Sequence, residues 1–440
     1  MKISGPGRFL VLAAWVAVSG CDALYDRVGG NFRGEPADMM DALSPDAKAL
    51  IEQALAGLDR DRIVDYHTHI VGLGMAQGLG ALCEDGTVDE SGLYINPMRF
   101  TWRHPVWKVK TSVLMSAARI EDLGAANAQY ARRLLDLVRH FPGKGTFHLL
   151  AMDAYYEEDG TPNWEKTDIH VPNRYVVDLA ACLNSRLGSA RFVPVISVHP
   201  YRRDAVDALR RFAGRGVRFV KWLPNIMNID PANMAKNGKF YEEMVRLDMV
   251  LITHTGKESA LRAFDENQKY GNPLLYRPAL DLGLTLIMAH SGRDGENPDE
   301  NGAERSNFAL FLQMMAAPQY NGCLFGDVSG MTIRDARSLG YFADIIADPE
   351  LNGRMVNGSD YPLPAAYFLN PTSELVRKNM LTAAEQEALD AIYGYNPLLF
   401  DFVVKRTLRH PKTGRRLPAS MFLSIDANRK RTKCRARSER

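Results

Sequence analysis

The stretch Ile63-Val64-Asp65-Tyr66-His67-Thr68-His69 decides how this chain is read. It begins as a short, β-branched, mostly apolar run of the kind that forms a buried strand, and it ends in His-x-His. Residues two apart on a strand project to the same face, so both imidazoles can aim at one ion. Alone, the pair is a weak signal, because either ring could be a hydrogen-bonded structural group.

Seven further runs follow the first, at 147–151, 192–198, 217–222, 249–253, 284–289, 322–327 and 354–357, after an opening run at 62–66. Most are nearly all apolar rather than alternating, as expected of parallel strands covered on both faces. Helix-period segments lie between them, at 125–139, 175–187, 205–212, 303–315 and 333–346. Strands alternating with helices predict a parallel sheet, and eight in series predict closure. The expected fold is α/β: a (β/α)8 TIM barrel with a long loop after the first strand and a C-terminal helical and hairpin extension. An open doubly wound sheet is the runner-up. The 440 residues leave room for extensions on a fold that needs about 250.

The expected organisation is a lipoprotein signal peptide at 1–20, a linker and helix at 21–61, the barrel at 62–408, and a hairpin with a basic tail at 409–440. Lys2 and Arg8 precede an apolar run at 9–18, and then comes Val18-Ser19-Gly20-Cys21. The run is too short to span a bilayer and has the layout of a secretory signal. Cys21 after Ser-Gly resembles the lipobox of bacterial lipoproteins, which implies lipidation of Cys21 and membrane attachment through the N-terminal anchor. Asp22 resembles a retention signal for the inner membrane, so the expected location is the cell envelope, on the periplasmic side of the inner rather than the outer membrane. An ordinary cleaved signal is the alternative. Cys83, Cys182, Cys323 and Cys434 show no paired spacing, which predicts no disulfide framework, with Cys182 and Cys323 as core thiols. With 54 basic and 52 acidic residues, nothing in the overall charge suggests nucleic acid as a partner.

The segment 71–116 is Gly-rich, then aromatic and basic. After a barrel strand it would overhang the catalytic mouth, either as a substrate lid or as packing over the rim. Thr382-Ala-Ala-Glu385 reads as a capping box, Asn396-Pro397 as a second helix start, and Lys412-Thr-Gly414 as a turn.

Later strands repeat the placement seen in the first. Lys221, His254, His290 and Asp360 each fall at or just past the end of an apolar run. In a barrel these ends converge on one mouth. Neutral imidazole with carboxylate suits Zn, with Fe or Mn as alternatives. His199 ends the third run and Asn225 follows Lys221, so both could line the mouth; Arg103 on the long loop could hold a substrate carboxylate; and Asp327 could orient a ligand histidine.

In order along the chain, the motifs DYHTHI, THTG, MAHSG and NGSDYP resemble the amidohydrolase superfamily, in particular the group that includes aminocarboxymuconate-semialdehyde decarboxylase and related hydrolases and hydratases. The resemblance spans about 62–400. It implies that His67, His69, His254 and Asp360 bind a divalent metal. It also implies that His290 acts as acid/base or joins a second ion, and that Asp360 takes a proton from metal-activated water. Lys221 would either be carboxylated and bridge two ions or remain a cation. The implied activity is hydrolysis of a C–N or C–O bond of a small molecule. A metal-dependent non-oxidative decarboxylase or hydratase is the alternative, and a non-catalytic barrel lipoprotein a third reading. A homodimer is compatible with such a barrel. No GxxxxGK[ST] loop or GxSxG elbow is present.

Overall fold

A computed structural model describes residues 30, 32, 34–83, 87–101, 103–333 and 335–425. The expected signal peptide, Cys21, Cys434 and the basic tail lie outside the described residues.

Eight parallel strands follow one another around the molecule in sequence order. They are β1 (Val64–His69), β2 (Thr146–Leu150), β3 (Phe192–Ile196), β4 (Phe219–Trp222), β5 (Val250–His254), β6 (Thr285–Ala289), β7 (Leu324–Asp327) and β8 (Met355–Val356). All eight expected runs carry a strand. The seam closes where the segment after β8 returns to β1. Tyr66 N donates to Asn357 O at 3.0 Å, Asp360 N to His67 O at 2.7 Å, and His69 N to Tyr361 O at 3.0 Å. This is a (β/α)8 barrel.

Val64, Tyr66, Leu150, Val195, Val250, Ile252, Ile287, Phe325 and Val356 pack into one buried cluster contributed by the strands themselves. Ile425 joins it, and its N–H reaches Tyr66 Oη at 2.9 Å. The register of β1 against β2 shifts between Asp65 and Thr68. Such an irregularity re-aims side chains: Val64 and Tyr66 fill the interior cluster, while His67 and His69 belong to the mouth.

The outer layer contains the expected helices, including Ala126–Arg139, Asn173–Leu187, Ala205–Gly214 and Ala336–Ala347. The segment 303–315 is only partly helical. Glu304–Ser306 pairs antiparallel with Glu296–Pro298, and the helix Asn307–Met315 starts after Ser306, whose hydroxyl accepts from Ala309 N. The longest helices not anticipated are Pro105–Ala117 and Met234–Arg246. The capping box at Thr382 and Glu385 forms, and Asn396 caps Pro397–Thr407. The C-terminal turn is a single bridge between Arg409 and Arg416. Among the described residues, no helix is long and apolar enough to cross a membrane.

The cysteine expectation is corrected. Cys83 and Cys182 form a disulfide across a separation of 99 residues, and Cys323 is not a free thiol either. Sequence spacing conceals the pair because the long loop folds back onto Asn173–Leu187, where Arg186 Nε also donates to Leu82 O at 2.7 Å.

Candidate metal centre

His67 and His69 leave the end of β1 toward Asp360, which lies four residues beyond β8. His69 Nε2 is 3.0 Å from Asp360 Oδ1, and His67 Nε2 is 3.5 Å from the same oxygen. These three groups lie close enough together to hold one ion. His254, at the end of β5, is buried, and its Nε2 has no hydrogen-bond partner. A buried polar nitrogen without a partner costs free energy, and a ligand bond to an ion would satisfy it. The donors are two imidazoles and a carboxylate, with the third imidazole of His254 lining the same cavity. Residues and chemistry therefore fit a divalent ion of the Zn, Fe or Mn type.

The nitrogens facing away from this centre are fixed. His67 Nδ1 meets Asp327 Oδ2 at 2.9 Å, so the neutral ring carries its proton there and turns Nε2 inward. Asp327 Oδ1 also accepts from His290 N at 2.8 Å and from Ser329 N at 3.0 Å. His290 Nδ1 lies 3.1 Å from Ser329 O and 2.8 Å from Ser329 Oγ. On the other side, Glu258 Oε2 is 3.7 Å from His254 Nδ1, and its Oε1 accepts from the backbone of Ala260 and Leu261. Sequence reasoning missed Glu258 and Ser329. The available signals were positional: Glu258 stands four residues past His254, and Ser329 two past Asp327.

The backbone that presents Asp360 is unusual. Asp360 has φ +60°, and His290 and Ser291 have +59° and +51°. Non-glycine residues seldom occupy this region, and they do so where the surroundings enforce it. Asp65 Oδ1 enforces it by accepting from His67 N at 3.0 Å and Ser359 N at 2.9 Å. From below, Lys405 Nζ donates to Gly358 O and to Asp401 Oδ2, both at 2.6 Å. A Cβ on Gly358 would stand 2.8 Å from His67 Cβ, so glycine is required for this close approach.

Burial lowers the His67 pKa to about 4, with Lys221 adding to the effect. Burial also holds His290 well below its ordinary range. These rings are therefore neutral, the form that ligates metal. Burial pushes the Asp360 carboxyl up, but His290, His67 and His69 more than reverse it, leaving the carboxylate ionised. Lys221 is fully buried at 3.1 Å from His67 Nε2, and burial brings its pKa down to about 8.

Above the centre lies a cavity of about 200 Å³. His67, His69, Lys221, His254, His290 and Asp360 form its floor, and the segment 71–116 supplies much of its roof, through Leu73, Arg99, Trp107, Lys110, Leu114 and Met115. Three expected substrate contacts lie elsewhere. Arg103 is exposed and does not line the cavity; Arg99, the buried residue of the turn Pro97–Phe100, takes that wall. His199 is buried, with Nε2 at 2.8 Å from Met227 O and Nδ1 accepting from Tyr201 N. Asn225 is buried with its amide on Gly256 O and Gln268. Both shape the loops behind the cavity.

No family model matches the chain, and no curated protein matches it. Among solved structures it is similar to a protein assigned as a 2-pyrone-4,6-dicarboxylic acid hydrolase from Pseudomonas putida, at 17% identity and TM-score 0.38, covering 69% of this chain and 83% of that one. A second protein so assigned, from Acinetobacter baumannii with citric acid bound, gives 12% identity, TM-score 0.40 and coverage of 75% and 92%. Dihydroorotase from Saccharomyces cerevisiae gives 11%, 0.38, and 79% and 85%. At such identities a shared substrate does not follow.

Proposed function

We propose that this chain is a metal-dependent hydrolase that uses activated water on a C–N or C–O bond of a small molecule. The observation that carries this reading is the convergence of His67, His69 and Asp360, with the unpartnered Nε2 of His254, beneath an apolar-walled cavity. A divalent ion held by these side chains would supply a Lewis acid and make water a competent nucleophile near neutral pH. The chain's own groups do the rest. Asp360, kept ionised by the surrounding imidazoles, accepts the proton that the attacking water gives up. Asp360 then returns that proton to the leaving group, while neutral His290, with Nδ1 held by Ser329, orients water or substrate. Asp327 holds the ring of His67, Glu258 faces that of His254 at 3.7 Å, and the roof covers the site. Zinc is the ion we favour.

A lyase reading, decarboxylation or hydration of a small acid, is favoured by one observation: the buried Lys221 places a cation beside His67, where a substrate carboxylate could pair with it. The test is turnover of a panel of amides, lactones, esters and small acids by metal-loaded, chelator-stripped and His254→Ala protein. Hydrolysis confined to the loaded wild type supports the main reading, CO2 release without added cofactor supports the lyase, and equal rates in all three preparations contradict both. One versus two ions turns on Lys221→Arg, since full activity with a single ion would exclude a carboxylated bridge. We also propose export and lipid attachment at Cys21. The Cys83–Cys182 disulfide supports an oxidising compartment, and the mass of the mature N-terminal peptide tests the anchor.

A further inference from the structure

The cavity roof carries charge that the proposed hydrolysis does not use. Two cations lie against Trp107: Arg99 Cζ is 3.9 Å from its ring centroid and Lys110 Nζ is 4.5 Å. Arg99 is buried and ion-paired with Asp168. That carboxylate is shared, because Arg262 donates to it through its backbone N–H at 2.6 Å and holds its Nε 3.7 Å away. Lys110 Nζ donates only to the carbonyl of Ser259 at 2.7 Å, and no carboxylate lies within ion-pair distance of it among the described residues. An ammonium has three donors, so Lys110 keeps unused ones. Glu258 is the other acid at this wall, and its Oε1 is spent on two backbone N–H groups while Oε2 faces His254. Arg99 and Arg262 thus share Asp168, Arg293 pairs with Asp294, and Glu258 is committed to the metal centre, which leaves Lys110 without a carboxylate of its own at this wall.

The same cavity is otherwise largely apolar, with Ile70, Leu73, Leu114, Met152 and Leu223, and Lys110 enters it half-buried. A surplus positive charge in such surroundings is costly unless an anion meets it. Burial already lowers the Lys110 pKa, Glu258 opposes the shift, and Arg99 adds to it. Glu258 also links the two ends of the cavity, facing His254 on the floor while its field reaches Lys110 and Arg99 on the roof.

We infer that Lys110, with Arg99 behind it on Trp107, is the subsite for one carboxylate on an otherwise hydrophobic substrate whose reacting bond lies over the His67–Asp360 floor. This rests on the reading of the cavity as a substrate chamber. Lys110 supplies the unpaired charge. Arg99, already matched by Asp168, stiffens Trp107 as the platform for the apolar body next to that charge.

The probe is 4-phenylbutyrate against its neutral amide, 4-phenylbutyramide, titrated calorimetrically into metal-loaded protein. Wild type should bind the acid at least tenfold more tightly than the amide. Lys110→Met should erase that preference by weakening the acid tenfold or more while moving the amide less than about twofold. Lys110→Arg should keep the acid within about threefold, which also shows that the roof tolerates substitution. The inference is overturned if wild type shows no preference for the acid, if Lys110→Met leaves the acid unchanged, or if it weakens both ligands equally. An acid that is lost in His254→Ala but not in Lys110→Met would be bound at the metal and would equally overturn it. Preference for the acid through Lys110 in a chain that turns nothing over would sink the hydrolase reading and leave the subsite standing.

Discussion

The floor of the cavity and its roof differ in what holds them. The floor stands on barrel strands, and its groups are tied across the barrel: Asp65 to Ser359, Asp327 to His67 and His290, Lys405 to Gly358. Most of the polar atoms there are buried and hydrogen-bonded, though His254 Nε2 has no hydrogen-bond partner. The roof stands on one long excursion from β1, pinned at a few points: the Cys83–Cys182 bond, the pairing of Tyr94–Ile95 with Ile169–His170, the Arg99–Asp168 ion pair and Lys110 on Ser259. Sites need rigid support to fix geometry to a fraction of an ångström, while loops carry variation in specificity. Under the proposed function, that division puts the chemistry on the floor and substrate choice on the roof.

That contrast can be broken at either end. The largest effect should come from Lys405→Met. It leaves Asp401 buried without its partner and releases Gly358 O, and should cost about 3 kcal/mol by denaturant unfolding, with metal affinity falling as well. If stability falls but metal content does not, the link from Lys405 to Asp360 is wrong. Cys182→Ser, which frees the roof segment from the helix Asn173–Leu187, should cost about 2–4 kcal/mol by opening a long loop. Metal content should be unchanged, because no ligand belongs to that loop; parallel loss of metal would show that the two regions are not separable. Asp327→Asn should fold, but with metal affinity or activity down about 10–100-fold, since the amide cannot serve as carboxylate to both His67 Nδ1 and the backbone donors.

The smallest effect lies far from both. Hydrogen bonds from Arg246 and Arg210 hold the Glu243 carboxyl down from 4.5 to about 2. A depressed carboxylate stabilises the fold above its unfolded pKa and loses that contribution as pH falls through its folded pKa. Glu243→Gln should therefore lower Tm slightly at neutral pH, since the two arginines are exposed and screened. The difference should shrink as pH falls from 4.5 toward 2, and a gap that widens on acidification would contradict the sign.

The same division governs what could be read in the sequence. Eight strands were visible because each is a dense apolar run, and the floor was visible because its ligands sit where those runs stop, as at Thr253-His254 and Ala289-His290. Strand ends in a barrel converge whatever the loops do. The roof has no such rule. Pro105–Ala117 starts without a side-chain cap at His104 and shows one face to the cavity and another to solvent, so its periodicity is blurred. Arg103 and Arg99 are equal candidates by type, and only the turn Pro97–Phe100 turns Arg99 inward. The Cys83–Cys182 pair joins two segments 99 residues apart, a distance over which spacing carries no information. His199 and Asn225 follow strands as mouth residues do, yet His199 Nε2 is engaged with Met227 O and the Asn225 amide nitrogen with Gly256 O.

The central claim is a metal held by the barrel floor, and the most direct test is the divalent metal content per chain of protein purified without chelator, with His254→Ala and Asp360→Asn in parallel. The account predicts at least one ion per wild-type chain and a marked loss in both variants while their fold is retained. Two ions would point to a carboxylated Lys221, and one to an unmodified amine. No ion in the wild type, even after Zn, Fe or Mn is offered back, would contradict the account.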